Sequence, residues 1–196
     1  FKDEQEPLFT EDIAAAQALL ADAGYPGGAG FPALTYTYPN SDKDSLMAQA
    51  IQAQLKQNLG IEVTLNGEES QAYAQDKKDG NYQLIRHSWT ADFNDPINFL
   101  NLYVTGSSSN YNGTANPDFD AAIAASDVAT DPAERNAELH KAQNVLVAEN
   151  FYVIPCVTQV YYCLKNANIT GVTFNDKGEP MYRFAGLAEI GRASCR

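Results

Sequence analysis

Cysteine and histidine are scarce in this sequence. The three cysteines, Cys156, Cys163 and Cys195, have no C-x-x-C spacing, and the only histidines are His87 and His140. That excludes the usual structural zinc sites and argues against a His-rich catalytic metal centre. It is also too little for a disulfide scaffold. Three cysteines do not identify a redox compartment, and whether Cys156 and Cys163 pair stays open. Positive charge is short as well: 13 Lys and Arg stand against 25 Asp and Glu, a net charge of −12. With no basic block, the chain is a poor binder of nucleic acid or anionic membrane, since both need clustered cations. No apolar run approaches the ~20 residues of a membrane span. No repeat supports a collagen-like or coiled-coil form.

Catalytic signatures are missing too. There is no G-x-S-x-G elbow, no G-x-x-x-x-G-K-[ST] loop and no H-E-x-x-H helix. His87 and Ser88 are neighbours on a predicted strand, so they point to opposite faces rather than pairing as base and nucleophile. The glycine-rich stretch at 27–30 follows a predicted helix rather than a strand, unlike a dinucleotide fingerprint. The expectation is a binding protein rather than an enzyme, with no cofactor and no metal. Sequons at Asn112 and Asn168 carry no assignment without a eukaryotic source.

What is present suits a packed α/β unit. The 196 residues are 44% hydrophobic, enough for one large domain or two small ones. Thr10 is the predicted cap of a first helix with Ile13, Ala16 and Leu20 on one stripe, stopped at Gly24. A strand follows over 34–38. A second helix, capped by Ser41 or Asp42, carries Met47, Ile51, Leu55 and Leu59 and ends at Gly60. Alternation predicts a strand over 61–65, then a helix over 70–79 and a strand over 82–89. Helices are predicted over 96–103, from Pro117 and from Pro132. Residues 151–157 and 159–164 read as β, and Asp176-Lys177-Gly178 as a hairpin turn between 172–174 and 182–184. Alternating strands and helices imply a mostly parallel sheet flanked by helices, with the last strands leaving that rhythm.

The densest polar and aromatic cluster runs from Arg86 to Pro96, where a strand passes into a loop. Ligands of open α/β sheets bind beyond the carboxyl ends of strands. Arg86, Trp89 and Asp92 at such an end suit a ligand with both charge signs or an apolar body. The structural alternative has Trp89 in the core, Asp92 and Asn94 as turn formers and Asp95 capping the next helix.

The element Trp89-Thr90-Ala91-Asp92-Phe93-Asn94-Asp95-Pro96 resembles the W-x-A-D-[YF]-x-[DE]-P signature of the oligopeptide/dipeptide/nickel group of ABC-transporter solute-binding proteins, the family 5 extracellular solute-binding proteins. Residues 10–26, 50–63, 110–123 and 135–155 resemble further stretches of that family in the same order, so the resemblance covers about residues 9–185. It implies a periplasmic-binding-protein type II fold in which two lobes close on a ligand. Residues 1–165 would be most of the second lobe and residues 166–188 the return to the first. It also implies a monomeric extracytoplasmic receptor, periplasmic or lipid-anchored at a Gram-positive surface, that hands short peptides to an ABC permease.

By the same resemblance, Asp92 pairs with a peptide's α-ammonium, and Arg86 and Lys77 meet its carboxylate end. Backbone around Ser88 and Thr90 hydrogen-bonds the peptide main chain, while His87, Trp89, Phe93 and Asn94 complete the site. Two departures stand out: Ser70 where the family's best-known peptide receptor has a pocket Trp, and His87 at a small-residue position. Retention of both Asp92 and Arg86 favours peptide over the family's other ligands, such as a nickel chelate or an oligosaccharide. An α/β enzyme or a sensor domain is the reading from another class. The ends read differently. The chain opens at Phe1 as the middle of something, and residues 189–196, EIGRASCR, are the translation of a common sequencing-adapter sequence. That tail, with Cys195, is therefore expected to be an artefact and the chain a fragment.

Overall fold

The computed structural model describes residues 10–188 apart from Gln159 and Tyr161. The expected adapter tail lies outside the described residues. Three parallel strands form the sheet: β1 (Leu34–Pro39), β2 (Val63–Glu68) and β3 (Leu84–Ile85), in the order β2-β1-β3. The β1–β2 register runs from Leu34 opposite Val63 to Pro39 opposite Glu68. Thr37 of β1 lies opposite Ile85. Parallel neighbours need crossovers. They are α2 (Asp42–Leu59) between β1 and β2 and α3 (Ser70–Asp79) between β2 and β3; α1 (Ile13–Asp22) precedes the sheet.

Capping explains where these helices begin. Asp12, rather than Thr10, caps α1, its carboxylate accepting from the Ala15 N–H at 2.9 Å. Ser41 caps α2 and accepts from the Asp44 N–H at 3.1 Å, while its own hydroxyl donates to Asp44 Oδ2 at 2.8 Å. Only the first half of a capping box forms, because the Ser41 backbone N–H donates to the Pro39 carbonyl at 2.7 Å and Asp44, at the third helical position, accepts from the Ser41 hydroxyl instead. Gly60 ends α2 at φ +70, and a Cβ there would run into the Gly27 carbonyl. The turn after α1 therefore sits directly on the end of α2, an approach open only to glycine.

The expected strand over 82–89 pairs only at Leu84–Ile85, with one further bond from the Arg86 N–H to the Thr37 carbonyl at 2.9 Å. Beyond it β1 reaches Pro39, which has no N–H to continue the ladder. The chain is thereby released into the loop that carries most of the candidate residues.

A second core lies past that loop. It is built by α4 (Ile97–Leu100), a 3₁₀ turn (Asn101–Tyr103), α5 (Pro117–Val128) and α6 (Pro132–Gln143), which continues as a π-helical stretch (Asn144–Glu149). Both α5 and α6 start with an Asx cap followed by proline. Asn116 accepts from the Asp118 and Phe119 N–H groups, and Asp131 accepts from that of Ala133. Phe119, Leu139 and Ala142 meet with no solvent exposure.

Residues 151–157 and the described part of 159–164 form no strand, contrary to expectation. Apart from Val153, which is half-buried against the helical core, their described apolar side chains are exposed, with Tyr162 91% and Leu164 99% accessible. High β propensity yields a strand only where a partner edge lies alongside, and here none of the described strands does. The expected hairpin forms with a shifted second strand: β5 (Thr173–Phe174) pairs with β6 (Pro180–Met181). Asn175 Oδ1 sets that register by accepting from the N–H groups of Lys177 and Glu179. β4 (Ile169–Thr170) pairs with β7 (Gly186–Leu187), also antiparallel, so the end of the chain does leave the parallel rhythm. No helix of the described residues is long and apolar enough to cross a membrane.

Candidate functional site

The candidate residues follow one path, from α3 through the end of β3 to α4. At its start Arg86 points toward α2, and its Nε makes an ion contact of 2.6 Å with Asp44 Oδ1, by proximity of charge and without hydrogen-bond geometry, both side chains nearly buried at 10% and 14% exposure. The Tyr73 hydroxyl donates to the Arg86 carbonyl. Burial, with Cys156 and Asp44 adding and Arg86 opposing, pushes the Tyr36 hydroxyl up to about 12. Burial likewise raises Tyr73, again against Arg86. A second acid closes this end of the sheet: Glu68 accepts from the Asn66 amide at 2.7 Å through one oxygen, while the other is buried without a hydrogen-bond partner among the described residues.

His87 turns to the other side, as alternation along an extended segment requires. Its ring meets Tyr111 edge-on at 5.8 Å. Lys77 Nζ stands 4.6 Å from the centre of the same Tyr111 ring and 5.4 Å from that of Tyr73. The Tyr82 hydroxyl donates to the Tyr111 carbonyl at 2.8 Å, fixing the backbone of the residue whose ring Lys77 and His87 share. Burial lowers the Lys77 ammonium. Burial, then the charges of Lys77 and Arg86, lowers the His87 imidazole. Among the described residues neither Lys77 nor His87 has a carboxylate partner.

The loop from Ser88 to Asn94 is open to solvent. Ser88, Thr90, Asp92, Phe93 and Asn94 are exposed, and Trp89 is 39% exposed rather than part of the core. Asn98 of α4 organises it: its Oδ1 accepts from the Trp89 indole N–H at 2.8 Å and the Asp92 backbone N–H at 3.1 Å. The Asp92 carboxylate has no hydrogen-bond or ion-pair partner among the described residues. Asp95 closes the loop structurally. Its Oδ1 accepts from the Ile97 N–H at 2.9 Å and from Arg135 Nη2 at 2.9 Å. Burial works to raise Asp95, but these two bonds outweigh it and hold the carboxyl below its ordinary value.

The structure thus gathers Trp89 and Asp92 on Asn98, and Lys77 and His87 on Tyr111. Arg86 stands apart, on Asp44. Hollows of about 440 and 430 Å³ lie elsewhere, around Gln17 and Gly60 and around Asn101 and Asp120, and include none of these residues. What the segment offers is an open face with a free carboxylate, an indole and a phenyl ring, next to the half-buried Lys77 and His87 on Tyr111. Such a face can hold a ligand by charge and stacking. Among the described residues no group of three or more His, Cys, Asp or Glu could hold a metal ion.

Sequence reasoning did not find Asn98, Tyr111, Asp44 or Arg135. The Ser41-to-Asp44 spacing signals a capping box, but nothing in it points to Arg86, 42 positions away along the chain.

Comparison with known proteins gives three results. The family model described as "Bacterial extracellular solute-binding proteins, family 5 Middle" matches residues 1–111. The oligopeptide-binding protein OppA of Bacillus subtilis is 31% identical over 94% of this chain and 35% of its own length. Among solved structures, a periplasmic oligopeptide-binding protein of Borrelia burgdorferi matches at TM-score 0.71 and 37% identity over 76% of this chain and 30% of that one. Haemophilus influenzae OppA in complex with RPPGFSPFR matches at TM-score 0.67 and 30% identity over 72% of this chain and 29% of that one. The chain therefore spans about a third of the length of these relatives.

Proposed function

We propose, since this chain belongs to the bacterial extracellular solute-binding proteins of family 5, that it is part of a receptor that captures short peptides for an ABC importer. The observation that carries the reading is the exposed, unpartnered carboxylate of Asp92 next to Trp89. Relatives named for oligopeptide binding support it, one of them solved with a nine-residue peptide.

In this reading Asp92 takes the peptide's α-ammonium. A charge-assisted hydrogen bond is roughly twice as strong as a neutral one. Backbone at Ser88 and Thr90 pairs with the peptide main chain in strand fashion, which tolerates many side chains. Trp89 and Phe93 provide apolar contact, with Asn94 beside them. Lys77 brings positive charge to the far end, with the His87 ring beside it on Tyr111 and Arg86 paired with Asp44. Residues 1–165 form the second lobe of a two-lobed receptor and residues 166–188 lead back to the first. Ligand bridging the lobes stabilises the closed state by its greater affinity for it. That closed monomer, outside the cytoplasm, is what the permease engages. The family consists of substrate-binding proteins, and the action proposed is binding without turnover.

The test uses the complete protein. Purified without refolding and then denatured, it releases a set of short peptides detectable by mass spectrometry; a single non-peptide solute would replace peptide as the ligand. Asp92→Ala weakens peptide binding by on the order of 2–5 kcal/mol, because it leaves a desolvated ammonium unpaired. Unchanged affinity by titration calorimetry would remove Asp92 from the anchor role.

A further inference from the structure

Arg86 is committed to Asp44, and that pairing bears on which peptides the site accepts. The Asp44 carboxylate is held from three directions. Ser41 donates to its Oδ2, its place in the first turn of α2 sets it at the positive end of the helix dipole, and Arg86 Nε stands in ion contact 2.6 Å from its Oδ1. The Arg86 backbone is also fixed, its N–H to Thr37 and its carbonyl by Tyr73. With both side chains nearly buried, swinging Arg86 toward a ligand would leave Asp44 as a buried, unpaired charge, which is strongly unfavourable. Glu68 makes this end of the sheet still less welcoming to an anion. Its buried Oε2 has no hydrogen-bond partner among the described residues, and it acts electrostatically on the same Tyr73 as Arg86. Asp44 and Glu68 offset Arg86 here, which leaves Lys77, over the same Tyr73 ring, as the remaining cation.

We propose that Asp44 is a specificity-determining residue that occupies Arg86, so that Arg86 does not read a ligand's terminal carboxylate. The inference rests on the peptide-receptor reading above and deepens it. An arginine at this position would otherwise favour short peptides whose free carboxylate ends against it. With Arg86 neutralised, any reading of the carboxylate falls to Lys77, which stands over Tyr73 and Tyr111 without an acid partner among the described residues.

The experiment titrates the complete protein calorimetrically with alanine peptides of two to six residues, each as free acid and as C-terminal amide. In the unmodified protein, acid and amide of each length bind within about threefold, or any larger acid preference disappears in Lys77→Gln. A preference for the acid of about tenfold that survives Lys77→Gln would show Arg86 open to carboxylates and overturn the inference. Asp44→Asn, which releases Arg86, raises the acid-to-amide affinity ratio by about tenfold at the shortest lengths that bind, and adding Arg86→Gln removes that gain. An unchanged ratio in folded Asp44→Asn would also overturn it. Should Asp44→Asn fail to fold, the comparison of unmodified protein with Lys77→Gln decides alone. Failure of every acid and amide to bind the unmodified protein would instead overturn the peptide reading itself, and this inference with it. That result is distinct from peptide binding with the acid preference retained.

Discussion

The two cores of this chain are built differently. In the helical core, Phe119, Leu139 and Ala142 have no exposure, and the helices that supply them, α5 and α6, are successive in sequence. In the sheet core only Ala48 is sealed to that degree. Tyr36, Tyr38, Ile61 and Val63 retain a few percent, and Leu34, Leu65 and Leu84 are only half-buried around them. Local helix pairs can close on themselves, whereas three short parallel strands depend on crossovers to cover their faces. The candidate site runs from one core to the other. Its first residues are fastened to β1 and its last to α4, and only the stretch between is free to meet a ligand. The contrast teaches that the open loop is held at both ends by packing of unequal strength.

The strongest way to break that contrast is Phe119→Ala. Loss of a fully buried aromatic ring costs about 3–5 kcal/mol, and hydrogen exchange should quicken across α5 and α6 while β1 stays protected. Equal acceleration in β1 would mean that the cores unfold as one. On the sheet side, Gly60→Ala places a Cβ against the Gly27 carbonyl at positive φ. We expect a loss of about 2 kcal/mol in urea unfolding, as the turn after α1 lifts from the end of α2. A smaller effect belongs to the Asp95–Arg135 pair, which pins the loop to the helical core with side chains 29% and 28% exposed. Arg135→Ala should cost about 1 kcal/mol at neutral pH. Because the folded-state value of Asp95 is depressed, its contribution is complete above the ordinary carboxyl value of 3.8 and is lost as pH falls below it. A pH series of thermal melts should therefore show the variant and the parent converging in acid; a constant gap would assign the loss to packing. Smallest in stability is Asn98→Ala, at about 0.5–1 kcal/mol. It should nonetheless weaken peptide binding, because Trp89 and Asp92 lose their shared acceptor.

Much of this was legible from periodicity and punctuation. The helix starts at Asn116-Pro117 and Asp131-Pro132, the stops at Gly60 and Gly80, and the parallel order of the sheet all follow from local rules that the structure obeys. Failures occurred where the deciding partner is distant. Residues 151–157 have strand composition but pair with none of the described strands, and the strand over 82–89 was cut short by a proline on another strand. Trp89 could be recognised as either core or site, but not that Asn98 would hold its indole N–H at the surface. The Asp44–Arg86 pair was invisible for the same reason: each residue follows a local rule, and only the parallel pairing of β3 beside β1, whose end leads into α2, brings them together.

The indole of Trp89 has a further consequence. It is the sole tryptophan of the sequence, and it lies half in water at the mouth of the candidate site with its N–H engaged by Asn98. Within these 196 residues ultraviolet indole emission therefore originates at one known position. A peptide that covers the ring should strip water from it and shift that emission to shorter wavelength. The segment expected to hold the ligand is thus an intrinsic optical gauge of its own occupancy.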